Sequence, residues 1–217
     1  MGGTKKALKV GNKRLCTADI KSPKNMAIVA YLGDNVKYYC KNTREKIEEL
    51  ELCCKNHPNT PLAFHSTYQR SIKETGEVVT IHVMICHECA KASNSNSKKG
   101  CTVAILPDFL SPHKHFSADE IETVVLQNDE GTPVNDIDTA ASSYTVKRWL
   151  KEFSEKIWGW ISNLKYIAIE RDCAVSECAL KELSAVESLK ALLKALPRIK
   201  SCGNLLAHAL LWWQVRS

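Results

Sequence analysis

No run of this chain is long and apolar enough to cross a bilayer. The longest, residues 205–215, is interrupted by His208 and Gln214 and has about half the roughly 20 residues that a spanning helix needs. The amino terminus carries charge but no apolar segment of the kind that marks an export signal. A reducing, cytoplasmic setting is therefore expected, in which the ten cysteines read as thiols or metal ligands rather than disulfides. A phosphate-binding glycine loop, a dinucleotide fingerprint, a nucleophile elbow and an H-E-x-x-H helix are all missing. Acidic residues are plentiful, yet no set of them has the grouping of a metal-dependent nuclease. Neither an enzyme nor a small-molecule substrate nor a membrane partner is expected.

Excess charge is also missing beyond the first 25 residues. The net charge is +6, and residues 1–25 supply all of it through Lys5, Lys6, Lys9, Lys13, Arg14, Lys21 and Lys24 against Asp19 alone. From Met26 onward, 23 basic and 23 acidic residues cancel, so the overall charge is a weak argument for nucleic acid. Residues 1–25 lack periodicity and are expected to be a disordered basic tail. Met26 opens an apolar stretch and is an alternative start of the chain.

What is present is a set of paired ligands. Cys54 and His57 stand in C-K-N-H, and Cys86 and Cys89 in C-H-E-C, with 28 residues between the two pairs. A two-residue gap places two donors on one tight turn, and two such turns joined by a hairpin supply four donors for a structural Zn²⁺. With four protein ligands no position stays open for a catalytic water. His57 stands where such ribbons usually have a cysteine, and Cys53, His65, His82 and His87 are alternative donors. Three thiolates and one imidazole around Zn²⁺ leave an excess negative charge for nearby lysines and backbone N–H groups to offset.

Between the pairs, residues 62–72 and 78–86 read as strands joined by a polar turn containing Gly76, and Val79, Ile81, Val83 and Ile85 alternate with Thr80, His82 and Met84. A strand is expected at 26–32, a helix at 35–52 and a mobile loop at 91–100. Ser117 with Glu120 reads as a capping box opening a helix to about Leu126. A short helix is expected at 133–141. Ser142 or Ser143 then caps a helix with Val146, Trp149, Leu150, Phe153, Ile157 and Trp160 on one side. The steps from Leu180 to Leu196 predict a further helix, and residues 205–213 a last one.

The helix after Ser142 has the make-up of a DNA-recognition helix. Ser143 and Thr145 stand at its entrance, Lys147, Arg148 and Lys151 follow within two turns, and apolar residues anchor its other side. An amphipathic helix with a solvated basic face explains this segment alone equally well. The two helices expected before it complete a three-helix unit and favour DNA.

The ligand pairs, H-S-T-Y-Q-R-S at 65–71, I-L-P-D-F-L-S-P at 105–112 and T-V-K-R-W-L-K-E-F at 145–153 together resemble an uncharacterised bacterial family. Its members look like the N-terminal regions of insertion-sequence transposases, a zinc ribbon followed by a helix-turn-helix. The resemblance covers about residues 26–160. It implies zinc on Cys54, Cys86, Cys89 and His57, and DNA contact through Thr145, Lys147, Arg148 and Lys151. Nothing after residue 160 supplies an acidic catalytic core, so strand transfer is not implied.

The expected fold is α+β: the basic tail at 1–25, a zinc-ribbon domain at 26–116, a helix-turn-helix at 117–160 and a C-terminal helical region at 161–217. The expected function is zinc-stabilised binding of double-stranded DNA, with a homodimer through the C-terminal helices. The alternatives are a protein-interaction or structural zinc module and a non-functional transposase remnant.

Overall fold

A computed structural model describes residues 26–32, 36–54, 56–92, 102–173, 180, 183–196, 205, 206 and 209. The described elements are β1 (Met26–Ala30), α1 (Val36–Glu49), β2 (Ala63–Ser71), β3 (Val78–Ile85), α2 (His87–Ala92), β4 (Thr102–Pro107), α3 (Ala118–Asp129), α4 (Ser143–Glu170) and α5 (Ala185–Ala195). The fold is α+β, as expected.

The hairpin forms one side of a larger sheet than a ribbon needs, with β2 at the edge. The four strands lie in the order β1-β4-β3-β2, antiparallel except for the β1–β4 pair. Gly76, at φ +72°, makes the turn between β2 and β3 in the left-handed region that glycine enters without cost. Because β4 joins β3 and α1 packs across one face, Val79, Ile81, Met84 and Ile85 are all buried, and simple alternation is lost at the metal end of β3. Val79, Ile81 and Met84, with Leu32, Ile47, Val103 and Ile105, form one hydrophobic core.

A second core is helical. Ile121, Val124 and Val125 of α3 meet Val146, Trp149, Ile157 and Leu164 of α4, and Val186, Leu189 and Leu192 of α5 close over them. Ser142 caps α4, its Oγ accepting the Thr145 N–H, and Ser184 caps α5 in a full capping box with Glu187. No helix of the described residues is long and apolar enough to cross a membrane.

Several expectations need correction. Residues 133–141 do not form a helix; they make a turn closed by the Asp136 N–H donating to Pro133 O, with only Ile137 buried. Side chains of α3 capture this backbone instead. Glu120 Oε1 accepts from Thr139 Oγ1 and the Ala140 N–H, and Gln127 Oε1 accepts from the Asp138 N–H. Glu120 is thereby diverted from the Ser117 capping box. Ser117 Oγ still accepts the Glu120 N–H, but the Ser117 N–H donates to Glu74. The three-helix unit is thus two long helices joined by non-helical residues 130–142, and α4 runs on to Glu170 across the boundary expected at 160. The front of the expected 91–100 loop is the end of α2. The tail at 1–25, residues 93–100 and most of the helix expected at 205–213 lie outside the described residues.

Candidate metal centre and basic helix

Two backbone turns at one end of the hairpin bring the paired ligands together. Before β2, the His57 N–H donates to Cys54 O and the Cys54 N–H to Thr60 O, folding C-K-N-H into a compact knuckle. After β3, the chain enters α2 at once, the Ala90 N–H reaching back to Cys86 O, so that Cys89 comes one turn after Cys86. Cys54, His57, Cys86 and Cys89 thereby converge, all four donor atoms lying within 4.8 Å of one another. His57 Nδ1 is 3.8 Å from Cys54 Sγ, 3.5 Å from Cys86 Sγ and 3.3 Å from Cys89 Sγ, and Cys54 and Cys89 sulfurs are 3.5 Å apart. That is too far for a disulfide, whose sulfurs are about 2.05 Å apart. Four donors at these separations can hold one metal ion in a closed shell.

The electrostatics calls for a cation. Cys89 is pushed up to about 12, first by burial and then by hydrogen bonds shared with Cys54 and Cys86. Cys86 is also opposed by burial, but the Cys89 N–H, Cys54 and His57 bring it down to about 7. A cation among the sulfurs would favour their ionised, ligating form. Asn56 Nδ2 donates to Cys89 Sγ at 3.8 Å, a supporting contact of the sort that orients metal ligands; the sequence pattern had given Asn56 no role.

None of the alternative donors belongs to the cluster. Cys53 Sγ points to Glu51 O, and His65 Nδ1 pairs with Ser66 Oγ. His82 packs edge-on against Phe64, and burial, then Arg44, holds its pKa below the ordinary imidazole value. His87 is exposed at the start of α2.

The five residues expected to touch DNA all lie in the first three turns of α4. Ser143, Lys147, Arg148 and Lys151 are exposed; Thr145 is half-buried, its hydroxyl 3.0 Å from that of the capping Ser142. Lys151 is 4.0 Å from Glu155, whereas Lys147 and Arg148 have no ion-pair partner among the described residues. Further along the same outward stripe the character changes to apolar, with Trp158 62% and Ile169 72% exposed and Tyr166 beside them.

Residues 53–149, somewhat less than half of the chain, match the family model described as Domain of unknown function (DUF6431). The chain is similar to that family over this span. The span starts beside the first ligand pair and ends within α4, so it takes in all four metal donors and the entrance of the basic helix but neither Lys151 nor the apolar stripe. No curated protein and no solved structure matches the chain.

Proposed function

We propose that this protein is a zinc-stabilised DNA-binding protein in which the ion fixes the hairpin and the front of α4 contacts duplex DNA. Zinc suits the donor set. Around a tetrahedral ion with zinc's usual bond lengths, two sulfurs stand ~3.8 Å apart and a sulfur and a nitrogen ~3.6 Å, close to the separations in the cluster. The ion is structural in this reading, and no catalysis is assigned to it.

The observation that carries the DNA reading is the pair of cations, Lys147 and Arg148, that have no ion-pair partner among the described residues, on the first exposed turns of a 28-residue helix anchored by Val146 and Trp149. Cations held on a rigid helix near its positive end attract phosphates. The paired helices α3 and α4 stand where a helix-turn-helix was expected, but residues 130–142 replace its tight turn, so α4 would dock by its own N-terminal turns. Kinship with transposase N-terminal regions remains part of this proposal, and rests on the sequence motifs alone.

The test is a mobility-shift assay of the zinc-loaded protein on fragments of its own genome. K147Q/R148Q should weaken binding and reduce the salt slope by about 1 per lost contact. Equal binding by both proteins would remove α4 as the DNA element. A second reading, a protein-interaction module, is favoured by one observation, the exposed Trp158–Tyr166–Ile169 stripe. In that case Trp158→Ala would abolish partner binding and leave DNA shifts untouched.

A further inference from the structure

The face of the sheet opposite α1 holds a cleft. Aligned partners across the strands share a face, and the row Ser66, Val83, Ala104, Ala27 crosses all four strands. These side chains are small, and Val83, Ala104 and Ala27 among them floor a cleft of ≈ 680 Å³. Its polar wall comes from Tyr68 and Arg70 of β2 and from the segment His113, Lys114, His115. That segment is pinned along the hairpin. Arg70 Nη2 donates to Ser111 O at 2.9 Å, the Lys73 N–H donates to His115 O at 2.8 Å, and the Ser117 N–H to Glu74 Oε1 at 2.6 Å.

Arg70 is the unusual member. It is 9% exposed, yet only one of its five N–H donors is engaged among the described residues, and no described carboxylate comes within 4.0 Å of it. Burial pulls its pKa below the ordinary guanidinium value, with Tyr68 and Glu74 offsetting part of the effect. A largely buried guanidinium that keeps unengaged, not fully enclosed donors and has no paired carboxylate among the described residues is a site for a planar or tetrahedral oxyanion. Lys114, by contrast, is already committed to Glu152. Beside Arg70, Tyr68 presents a ring that is 43% exposed over the small apolar floor. An anion alone would have no use for that ring and floor; a flat ring carrying the anion would use both.

We propose that this cleft binds a nucleotide, with the phosphate on Arg70 and the base laid against Tyr68 over Ala104 and Val83. The volume lies within the range of small-molecule sites, about 300–1,000 Å³. The nucleotide can be free or an unpaired unit of a single strand, since the recognised chemistry is the same. This inference does not rest on duplex binding by α4.

The experiment uses full-length, zinc-loaded protein titrated with three probes: inorganic phosphate, adenosine 5′-monophosphate and a single-stranded oligonucleotide of about 10 residues. Calorimetry gives the affinities, and backbone amide shifts of Tyr68, Arg70, Ala104 and Lys114 locate the site. Tyr68→Ala should weaken nucleotide binding about fivefold or more, the low end of what one stacked base contributes, and leave phosphate unchanged. Arg70→Gln should weaken all three probes. Because Arg70 is buried, its variant is checked for fold by its amide spectrum, and the exposed Tyr68 keeps the test decisive if that fold is lost. An oligonucleotide that binds more than about tenfold tighter than the mononucleotide identifies a strand as the source; comparable affinities identify the free nucleotide. The proposal is overturned if no probe shifts those amides at millimolar concentration, or if Tyr68→Ala binds the nucleotide as the wild type does. Duplex shifts by the Tyr68→Ala protein should be normal, so loss of this site and loss of the α4 reading are separate results.

Discussion

Replacing Cys86 with serine should loosen the sheet from one end. Cys86 lies at the end of β3, 1% exposed, with its sulfur 3.5 Å from His57 Nδ1. A serine hydroxyl does not ionise to a ligand at neutral pH, so the clamp between the two knuckles is lost. An ion held by the four ligands would cross-link Cys54 and Cys89, 35 residues apart. Closing a loop of that size in the unfolded chain is worth about 4 kcal/mol on the chain-entropy estimate used for disulfides. If the estimate carries over to an ion, protection of the amides it secures should fall about 10²–10³-fold.

The loss should be graded. The knuckles flank the open end of the hairpin, whereas its turn, at 72–77, is held by the Ile72 and Gly76 backbone bonds and by the 111–117 segment. Hydrogen exchange read by mass spectrometry should show peptides covering Ala63, Met84 and Ile85 deprotected first and those covering Ser71 and Val78 least. The described tryptophans Trp149, Trp158 and Trp160 all belong to α4, and their fluorescence should barely change. Chelation of the wild-type protein should reproduce the pattern. Unchanged protection around Met84 in both experiments would refute the clamp; simultaneous loss of sheet protection and of the tryptophan signal would refute two separable cores.

Two further outcomes follow from the helical part. Ser184→Ala removes the hydroxyl that accepts the Glu187 N–H at 3.1 Å, and should cost about 1 kcal/mol in denaturant melts. Glu152 is resisted by burial, but Lys114 and then Lys156 hold its carboxyl below the usual range. Its contribution is therefore fully present above the unfolded value of about 4.3 and is lost as pH falls through the lower folded value. The wild-type melting temperature should drop more steeply than that of Glu152→Gln across that acidic window, and equal slopes would show that the pair is screened out.

The hairpin, the knuckles and the anchored side of α4 were legible because each rests on local spacing: period two in β3, a two-residue gap between donors, and three- and four-residue steps from Val146 to Ile157. The rest depends on partners distant in sequence. β4 reads as a short apolar run, and nothing in it announces pairing with β3 or the parallel pairing with β1. The stretch 133–141 has helical composition in part, but Glu120 and Gln127, on another helix, bind its backbone first. Arg70 and Asn56 gain their roles only when Ser111 and Cys89 arrive beside them.

The geometry also limits what the ion can do. An eight-residue strand spans about 26 Å, so the cluster at one end of β3 is far from the contacts at the other, where Glu74 meets Ser117 and Lys114 meets Glu152. The ion therefore cannot position α4 by touching it. An effect on that helix can pass along the hairpin through residues 70–74 and into the 111–117 segment, which reaches α4 where Phe116 packs edge-on against Trp149 and Lys114 meets Glu152. A chain of few contacts transmits a position only while each is made. If α4 binds DNA as proposed, that binding should survive loss of the metal better than loss of Glu152, provided the Lys114–Glu152 contact sets the helix's angle. Comparing duplex affinity in Cys86→Ser and Glu152→Gln decides the point, and a larger loss in Cys86→Ser would mean that the knuckles themselves contact the DNA.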